Sequence, residues 1–228
     1  KLPNVSFEET LISCLEKKAY GTQPGHAQFY YPKKYGYGEL WSRMAKALGD
    51  RILYDTKVRE IDFDKKTVNG QFQAEVIVIT IPWNVFETYS GLPASYRQAI
   101  DTLKYSSVVI EYYPENLATK AHWIYYPDLQ LSYHRILVRH NFCPGTDGYW
   151  TETNLTRFCP DKKEEGMYFI NEYAYPLNTI GKQEKMAALL NWAETKQVYG
   201  LGRWGEWQHY NSDVVTALAI KKADDFCK

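Results

Sequence analysis

Residues 58–83 read VREIDFDKKTVNGQFQAEVIVITIPW, and this stretch decides the fold class. Val58 to Phe63 alternates apolar and polar, which is the period of a half-buried strand. Asn69-Gly70 has the composition of a tight hairpin turn, because both residues tolerate the positive φ that such turns require. The run from Val76 to Ile81 is almost wholly apolar, which predicts a strand covered on both faces, as in a central parallel sheet. Pro82 ends it. Upstream, Leu40, Trp41, Met44, Ala45 and Leu48 mark an amphipathic helix over 38–48, closed by Gly49. Ser6-Phe7-Glu8-Glu9 is a capping box opening a short helix with Leu11, Cys14 and Leu15, and 21–25 reads as a loop. Downstream, Leu92-Pro93 starts a helix to about Leu103. The segments 106–113, 123–126, 132–138, 149–154 and 167–174 are β-rich. Helices follow over 182–196, with Met186, Leu189, Leu190 and Ala193 on one face, and over 212–226. Between them Val198 to Leu201 forms a short strand. The fold class is mixed α/β, with an antiparallel middle between pieces of an α/β unit.

Composition narrows the functional classes. The chain has 228 residues, with 27 basic and 27 acidic side chains and zero formal net charge. That balance lacks the basic surplus of a nucleic-acid binder. No apolar run approaches the ~20 residues of a membrane-spanning helix. Aromatic residues make up 16% of the chain, including 20 Tyr and 7 Trp, and such side chains fill β-rich cores and line clefts for flat or sugar-like ligands. Cys14, Cys143, Cys159 and Cys227 are widely scattered, which predicts reduced thiols and a cytoplasmic protein. Neither they nor the five histidines show metal-ligand spacing. The chain opens on Lys1 rather than Met, which predicts a piece of something longer.

Two stretches have chemical potential. The strand at 198–201 feeds Gly202-Arg203-Trp204-Gly205-Glu206-Trp207, and Asn211-Ser212-Asp213 supplies cap-type residues for the last helix. A helix N-terminus with a nearby arginine suits an anionic, phosphate-bearing cofactor. Tyr133-His134-Arg135-Ile136 is the second. On a regular strand Tyr133, Arg135 and Leu137 share one face and His134 and Ile136 the other, with Arg135 available as a bidentate diphosphate clamp. A solvated arginine and a plain turn remain open alternatives at both places.

Four stretches, in order, resemble the flavin-dependent amine-oxidase superfamily, nearest its UDP-galactopyranose-mutase and protoporphyrinogen-oxidase-like members. They are YPKKYGYGEL at 31–40, the strand stretch at 58–83, WIYYPDLQLSYHRILVRHNFCPG at 123–145 and GRWGEWQHYNSDVVTALAIKKADDF at 202–226. The resemblance implies the C-terminal portion of a FAD/NAD(P)-binding Rossmann-like flavoprotein with an antiparallel β-sheet substrate domain. Residues 1–29 would be a helical segment of the substrate domain and 30–90 an inserted part of the flavin-binding domain. Residues 91–196 would be the substrate domain, and 197–228 the closing segment of the flavin-binding domain.

It further implies FAD as cofactor, approached by Gly36, Gly38, Gly202, Arg203, Gly205, Asn211, Ser212 and Asp213. Tyr133, Arg135, Tyr175, Trp207 and His209 would face the substrate, with Arg135 on the diphosphate of a nucleotide sugar used in cell-surface polysaccharide synthesis. An amine-oxidase-like oxidoreductase and a non-catalytic sugar-nucleotide-binding module are the alternatives. Where the mutases carry Tyr and Asp, His209 and Asn211 stand here. The Gly-x-Gly-x-x-Gly pyrophosphate turn with which the family opens, between its first strand and helix, does not occur in the early part of this sequence. The chain alone is therefore expected to hold FAD poorly, and to pair with a separate flavin-binding segment or with itself.

Overall fold

The computed structural model describes residues 6–18, 30–159 and 168–227. The 21–25 loop, Met167 and the terminal Lys1 fall outside them. In chain order the first elements are α1 (Phe7–Glu16), α2 (Gly36–Leu48), β1 (Glu60–Asp62), β2 (Thr67–Val68), β3 (Phe72–Gln73), β4 (Ile77–Ile79), β5 (Thr88–Ser90) and α3 (Ala94–Asp101). Then come β6 (Tyr105–Tyr113), β7 (Trp123–Tyr125), β8 (Tyr133–Val138), α4 (Arg139–Phe142), β9 (Tyr149–Asn154) and β10 (Tyr168–Pro176). The chain closes with α5 (Lys182–Thr195), β11 (Val198–Gly200), α6 (Gly202–Gly205) and α7 (Ser212–Phe226).

Local chemistry accounts for most boundaries. Ser6 Oγ accepts from the Glu9 amide at 3.3 Å, as the capping box requires. Asn69 and Gly70 both have positive φ, 52° and 67°, and turn β2 into β3. Asn69 also braces the hairpin by accepting from the Arg59 amide at 2.8 Å.

Three sheets result. One has the order β3-β2-β1-β5, with β1 and β5 parallel. The second is antiparallel, β10-β6-β9-β8-β7, and carries the segments read as β-rich. The third pairs β4 with β11 in parallel, Val198 opposite Ile77 and Gly200 opposite Ile79. The expectation that 76–81 is covered on both faces is corrected here. Ile79 is 3% exposed but Val78 is 38% exposed, because alternate residues face opposite sides and only the Ile77 and Ile79 side packs on the core.

A single core joins the segments around this small sheet. Ile61, Phe63, Ile79, Trp83, Phe86, Ile100 and Leu103 pack with Met186, Leu189, Ala193, Val198 and Trp207. Each large apolar side chain buried there contributes about 1.5–3 kcal/mol. Trp83 ties the core to α6 through its indole N–H, which donates to Gly205 O at 2.7 Å. The glycines permit this approach. A Cβ on Gly205 would meet Ile79 O at 2.1 Å, and one on Gly200 would meet Gly205 O at 2.3 Å. The stretch read as a glycine turn is thus a short helix pressed against β4 and β11. In contrast, α1, α2 and α7 bury no residue. No helix among the described residues is long and apolar enough to cross a membrane.

Candidate functional site

The antiparallel sheet has two faces, and register assigns residues to them. Trp123 lies opposite Leu137, and Leu137 opposite Trp150, so these three share a face. They line a cleft of about 740 Å³ with Tyr31, Gly36, Tyr37, Gly38, Glu39, Arg139, Phe142 and Cys143. The cleft therefore lies between the sheet and the first turn of α2. Tyr31 holds that turn by accepting from the Tyr37 amide at 3.2 Å. A Cβ on Gly38 would meet nothing within 4 Å, so the backbone there is open to a ligand.

The start of α7 meets the start of α2. Tyr37 Oη donates to Ser212 Oγ at 2.6 Å. Asn211 sits at the cap position of α7 but makes no side-chain cap hydrogen bond. The first-turn amides and their partial positive charge remain available to a ligand. Asp213 adds a carboxylate to the same turn.

Arginines mark the other end of the sheet face. Arg135 donates through Nε to Glu152 Oε2 at 2.8 Å, and its Nη2 also meets that oxygen. Nη1 donates to Tyr125 Oη at 3.2 Å and Nη2 to Tyr175 Oη at 3.3 Å. Burial alone lowers the Arg135 pKa, but the Glu152 carboxylate and the two tyrosine hydroxyls outweigh it and hold the guanidinium charged. Its charge is thereby neutralised by a buried partner, which leaves little to offer an anionic ligand.

Arg203 differs. Its Nε and Nη2 donate to Tyr210 O at 3.1 and 2.8 Å, and Nη1 donates to Ala174 O at 3.2 Å. Among the described residues three of the five guanidinium hydrogens meet partners, all of them carbonyls, and no carboxylate pairs with it. Its guanidinium lies over the Tyr175 ring at 5.3 Å, and Tyr175 stacks on His209 at 5.0 Å with planes 8° apart. Burial, then the Arg203 charge, lowers the His209 pKa and keeps the imidazole neutral. Glu206 closes α6 by accepting from the Gly202 amide at 2.9 Å, and its burial raises its pKa.

The structure thus brings together Gly36, Gly38 and Ser212 at one end, and Arg135, Tyr175, Arg203 and His209 at the other. Three expectations are corrected. Tyr133 lies on the opposite face of the sheet. A bulge in β8 sets Tyr133 opposite Thr153 but Arg135 opposite Glu152, so His134 shares Glu152 with Arg135 and Tyr133 packs edge-on against Tyr126. Trp207 is fully buried in the core, edge-on to Trp204, and is not presented to a ligand. Gly205 serves backbone packing, since its open side is filled by Ile79 O. Sequence reasoning missed Tyr31, Tyr37, Trp123, Trp150 and Glu152. The two tryptophans lie on β7 and β9 and reach the face of Leu137 only through cross-strand register, which residues 132–138 do not announce.

Fold and site together define a flavoprotein-type α/β architecture in which an antiparallel sheet faces two helix starts. Residues 7–113 match the family model of flavin-containing amine oxidoreductases. The solved structure of a reduced UDP-galactopyranose mutase is similar, with a TM-score of 0.71 and 17% identity over 92% of this chain and 54% of that one. A chain described as a protoporphyrinogen oxidase from Exiguobacterium sp. 255-15 gives 0.51 and 12%, covering 74% and 46%. A putrescine oxidase bound to putrescine gives 0.56 and 13%, covering 84% and 53%. The chain spans about half the length of these structures. No curated protein matches the sequence. The match over 7–113 and the shared fold both point to the flavin amine oxidase superfamily.

The family likeness over 7–113 implies a flavin. The open first turn of α7, the space beside Gly38 and the Tyr37–Ser212 pair fit the polar edge of a flavin ring. The one glycine-rich strand-to-helix turn of Gly-x-Gly-x-x-Gly spacing, Gly200 to Gly205 between β11 and α6, is packed against its own backbone. A Cβ on Gly200 would meet Gly205 O and one on Gly205 would meet Ile79 O, which leaves a pyrophosphate no open backbone there.

Proposed function

We propose that the chain is the substrate-sheet part of a FAD-dependent enzyme that acts on a nucleotide sugar, similar to UDP-galactopyranose mutase. The observation that carries this reading is Arg203, a cation that the described residues hold only by carbonyls, beside the flat Tyr175–His209 stack. A diphosphate with a planar base is the ligand such a pair recognises. The aromatic cleft supports it. Its lining includes Arg139 and a single carboxylate, Glu39, which already pairs with Arg43 at 2.9 Å. An amine cation would find no free carboxylate there, which disfavours the amine-oxidase alternative.

FAD, when bound, supplies two-electron chemistry at its ring. The residues of this chain orient and neutralise. Arg203 takes the diphosphate. Arg135, already paired with Glu152, braces Tyr175 rather than clamping the ligand. The α7 first turn and Ser212 favour negative charge at the flavin's polar edge. The pyrophosphate cradle comes from a further flavin-binding segment, which the open edge of β4 can accept by strand pairing.

Titration of the chain with UDP-galactose, followed by tryptophan fluorescence, tests this. Saturable quenching is expected, weakened at least ~10-fold in Arg203→Gln, the loss of a charge-assisted contact. Absence of binding by UDP-galactose and by UDP overturns the reading. With FAD added and reduced, ring-contracted sugar supports the mutase, whereas oxygen consumption with putrescine replaces it by an amine oxidase.

A further inference from the structure

Trp207 is held in place at a cost on two counts. Its backbone is left-handed, with φ 52°, a conformation rare for so bulky a side chain. Its indole N–H is buried and has no hydrogen-bond partner among the described residues. Strain of this kind persists only where the surroundings fix it, and it gathers at functional sites. The group that fixes it is Lys182, the first residue of α5, which is 3% exposed. Its Nζ donates to Trp207 O at 2.9 Å and to Asn178 Oδ1 at 2.8 Å. A lysine so buried is rare, since a methionine would fill the same space without desolvating a charge. Met186, Leu189 and Ala193 anchor α5 in the core, so Lys182 ties Trp207 to a fixed helix.

The turn that follows builds the Arg203 site. From Trp207 the chain folds back, with the Gln208 amide donating to Arg203 O and the Tyr210 amide to Gln208 O, both at 2.9 Å. Tyr210 O thereby meets the guanidinium, which donates to it through Nε and Nη2. The same turn lays His209 flat on Tyr175, with planes 8° apart. Arg203 and the His209 stack therefore share one support, the turn at 207–210.

We propose that Lys182 is the positioning residue of this site: by holding the Trp207 carbonyl it sets the turn, and through the turn the places of Arg203 and His209. Its ammonium is buried and touches no ligand. The consequence for ligand binding rests on the nucleotide-sugar reading, whereas the consequence for His209 does not.

The test compares two variants of the chain. Lys182→Met keeps the apolar stem and removes the donor, and Leu189→Ala weakens the same helix away from the turn. Circular dichroism checks folding. Lys182→Gln, one bond shorter and unable to reach Trp207 O, takes the place of Lys182→Met if that variant does not fold. The first readout needs no ligand: proton NMR of the His209 ring, assigned with His209→Gln. In the wild type the stack shifts the ring C–H signals upfield, and the imidazole titrates below its ordinary 6.5. Among the described residues the charge that acts on His209 is that of Arg203, so loss of the Lys182 charge alone leaves this titration in place. In Lys182→Met the upfield shift is expected to vanish and the titration to move up towards 6.5, while Leu189→Ala keeps both. The second readout is UDP binding, expected to be about 10-fold weaker in Lys182→Met, the order of Arg203→Gln, and unchanged in Leu189→Ala. His209 signals unaltered by Lys182→Met overturn the proposal. So does an equal change in Leu189→Ala, and so does a Lys182→Met chain that binds UDP as tightly as the wild type. If the wild type binds no UDP, the nucleotide-sugar reading fails, and the His209 signals alone decide the role of Lys182.

Discussion

Helices α5 and α7 have almost the same length, 14 and 15 residues, and both show apolar residues at helical spacing. Yet α5 buries Lys182, Met186, Leu189 and Ala193, while α7 buries nothing and leaves Val214, Ile220 and Phe226 at 40–59% exposure. Amphipathic periodicity therefore tells which face of a helix needs a partner, not whether this chain provides one. The partners of α5 are α3, β11 and the Trp83 cluster. α7 is held at its periphery, by Val215 near Gly202, the Tyr199–Phe226 ring pair and the Tyr37–Ser212 hydrogen bond. Lys222 adds to these, lying over Tyr199 and pairing with Glu194 of α5 at 3.8 Å. Most of a helix's stability in a protein comes from packing, so the two should differ in thermodynamic weight.

The sharpest way to test the closed side is Gly205→Val. Its Cβ would collide with Ile79 O and press on the Gly200 backbone, and neither can move without breaking the β4–β11 pair. This exceeds the ~1–3 kcal/mol of ordinary overpacking and is a large part of a domain's ~5–15 kcal/mol. Loss of the cooperative unfolding transition is expected. A variant that melts like the wild type would show that the core does not depend on this contact.

Next come paired truncations. Leu189→Ala, at a fully buried position, should cost about 2–5 kcal/mol in denaturant unfolding. Ile220→Ala, at 59% exposure, should stay within about 0.5 kcal/mol. Equal effects would erase the distinction between the helices.

The same contrast explains what was legible beforehand. The Asn69-Gly70 turn, the Ser6 cap and the α5 stripe follow from local chemistry, and the structure repeats them. The antiparallel middle followed from strand-like composition. What depended on distant partners did not show. Val78 is exposed because its face of the sheet, opposite that of Ile79, is left uncovered among the described residues, which no apolar run can announce. The β8 bulge turned Tyr133 away from Arg135, and it is set by pairing with β9 rather than by residues 132–138. At the site, Gly36 and Ser212 at one end and Arg203 at the other were candidates from spacing and family likeness. The neutralisation of Arg135 was not legible, since Glu152 lies on another strand.

Lys182 was also unreadable, because a lysine in a first helical turn looks solvated. It is 3% exposed, with Nζ donating to Asn178 Oδ1 at 2.8 Å and to Trp207 O at 2.9 Å. Burial lowers its pKa below the 10.5 of the unfolded chain. Between those values the unfolded chain binds more protons, so this group makes stability rise with pH up to about 10.5, with no slope below the lowered pKa. Lys182→Met should cost about 1–3 kcal/mol near neutrality, by leaving the Trp207 carbonyl unpaired. It should also remove that alkaline gain. Tyrosines with raised pKa, such as Tyr89 at about 12, act oppositely but equally in both proteins. The difference in midpoint between wild type and variant should therefore widen as pH rises, and a constant difference would show that Lys182 titrates as if solvated.

The smallest expected effect probes the open side. Among the described residues, Tyr37 Oη to Ser212 Oγ is the only side-chain hydrogen bond joining α2 to α7. Tyr37→Phe removes that donor and keeps the ring against Trp41, whose centroid lies 5.7 Å away. An exposed neutral hydrogen bond is worth about 0.5–1.5 kcal/mol at most, so global unfolding should barely move. Because α7 is held at its periphery, the loss should instead appear locally, as faster amide hydrogen exchange along the first turns of α7. The α5 amides, buried against the core, should exchange only through global unfolding and remain unchanged. If the α5 and α7 amides already exchange at equal rates in the wild type, the two helices belong to one cooperative unit. Their different burial would then have no thermodynamic consequence.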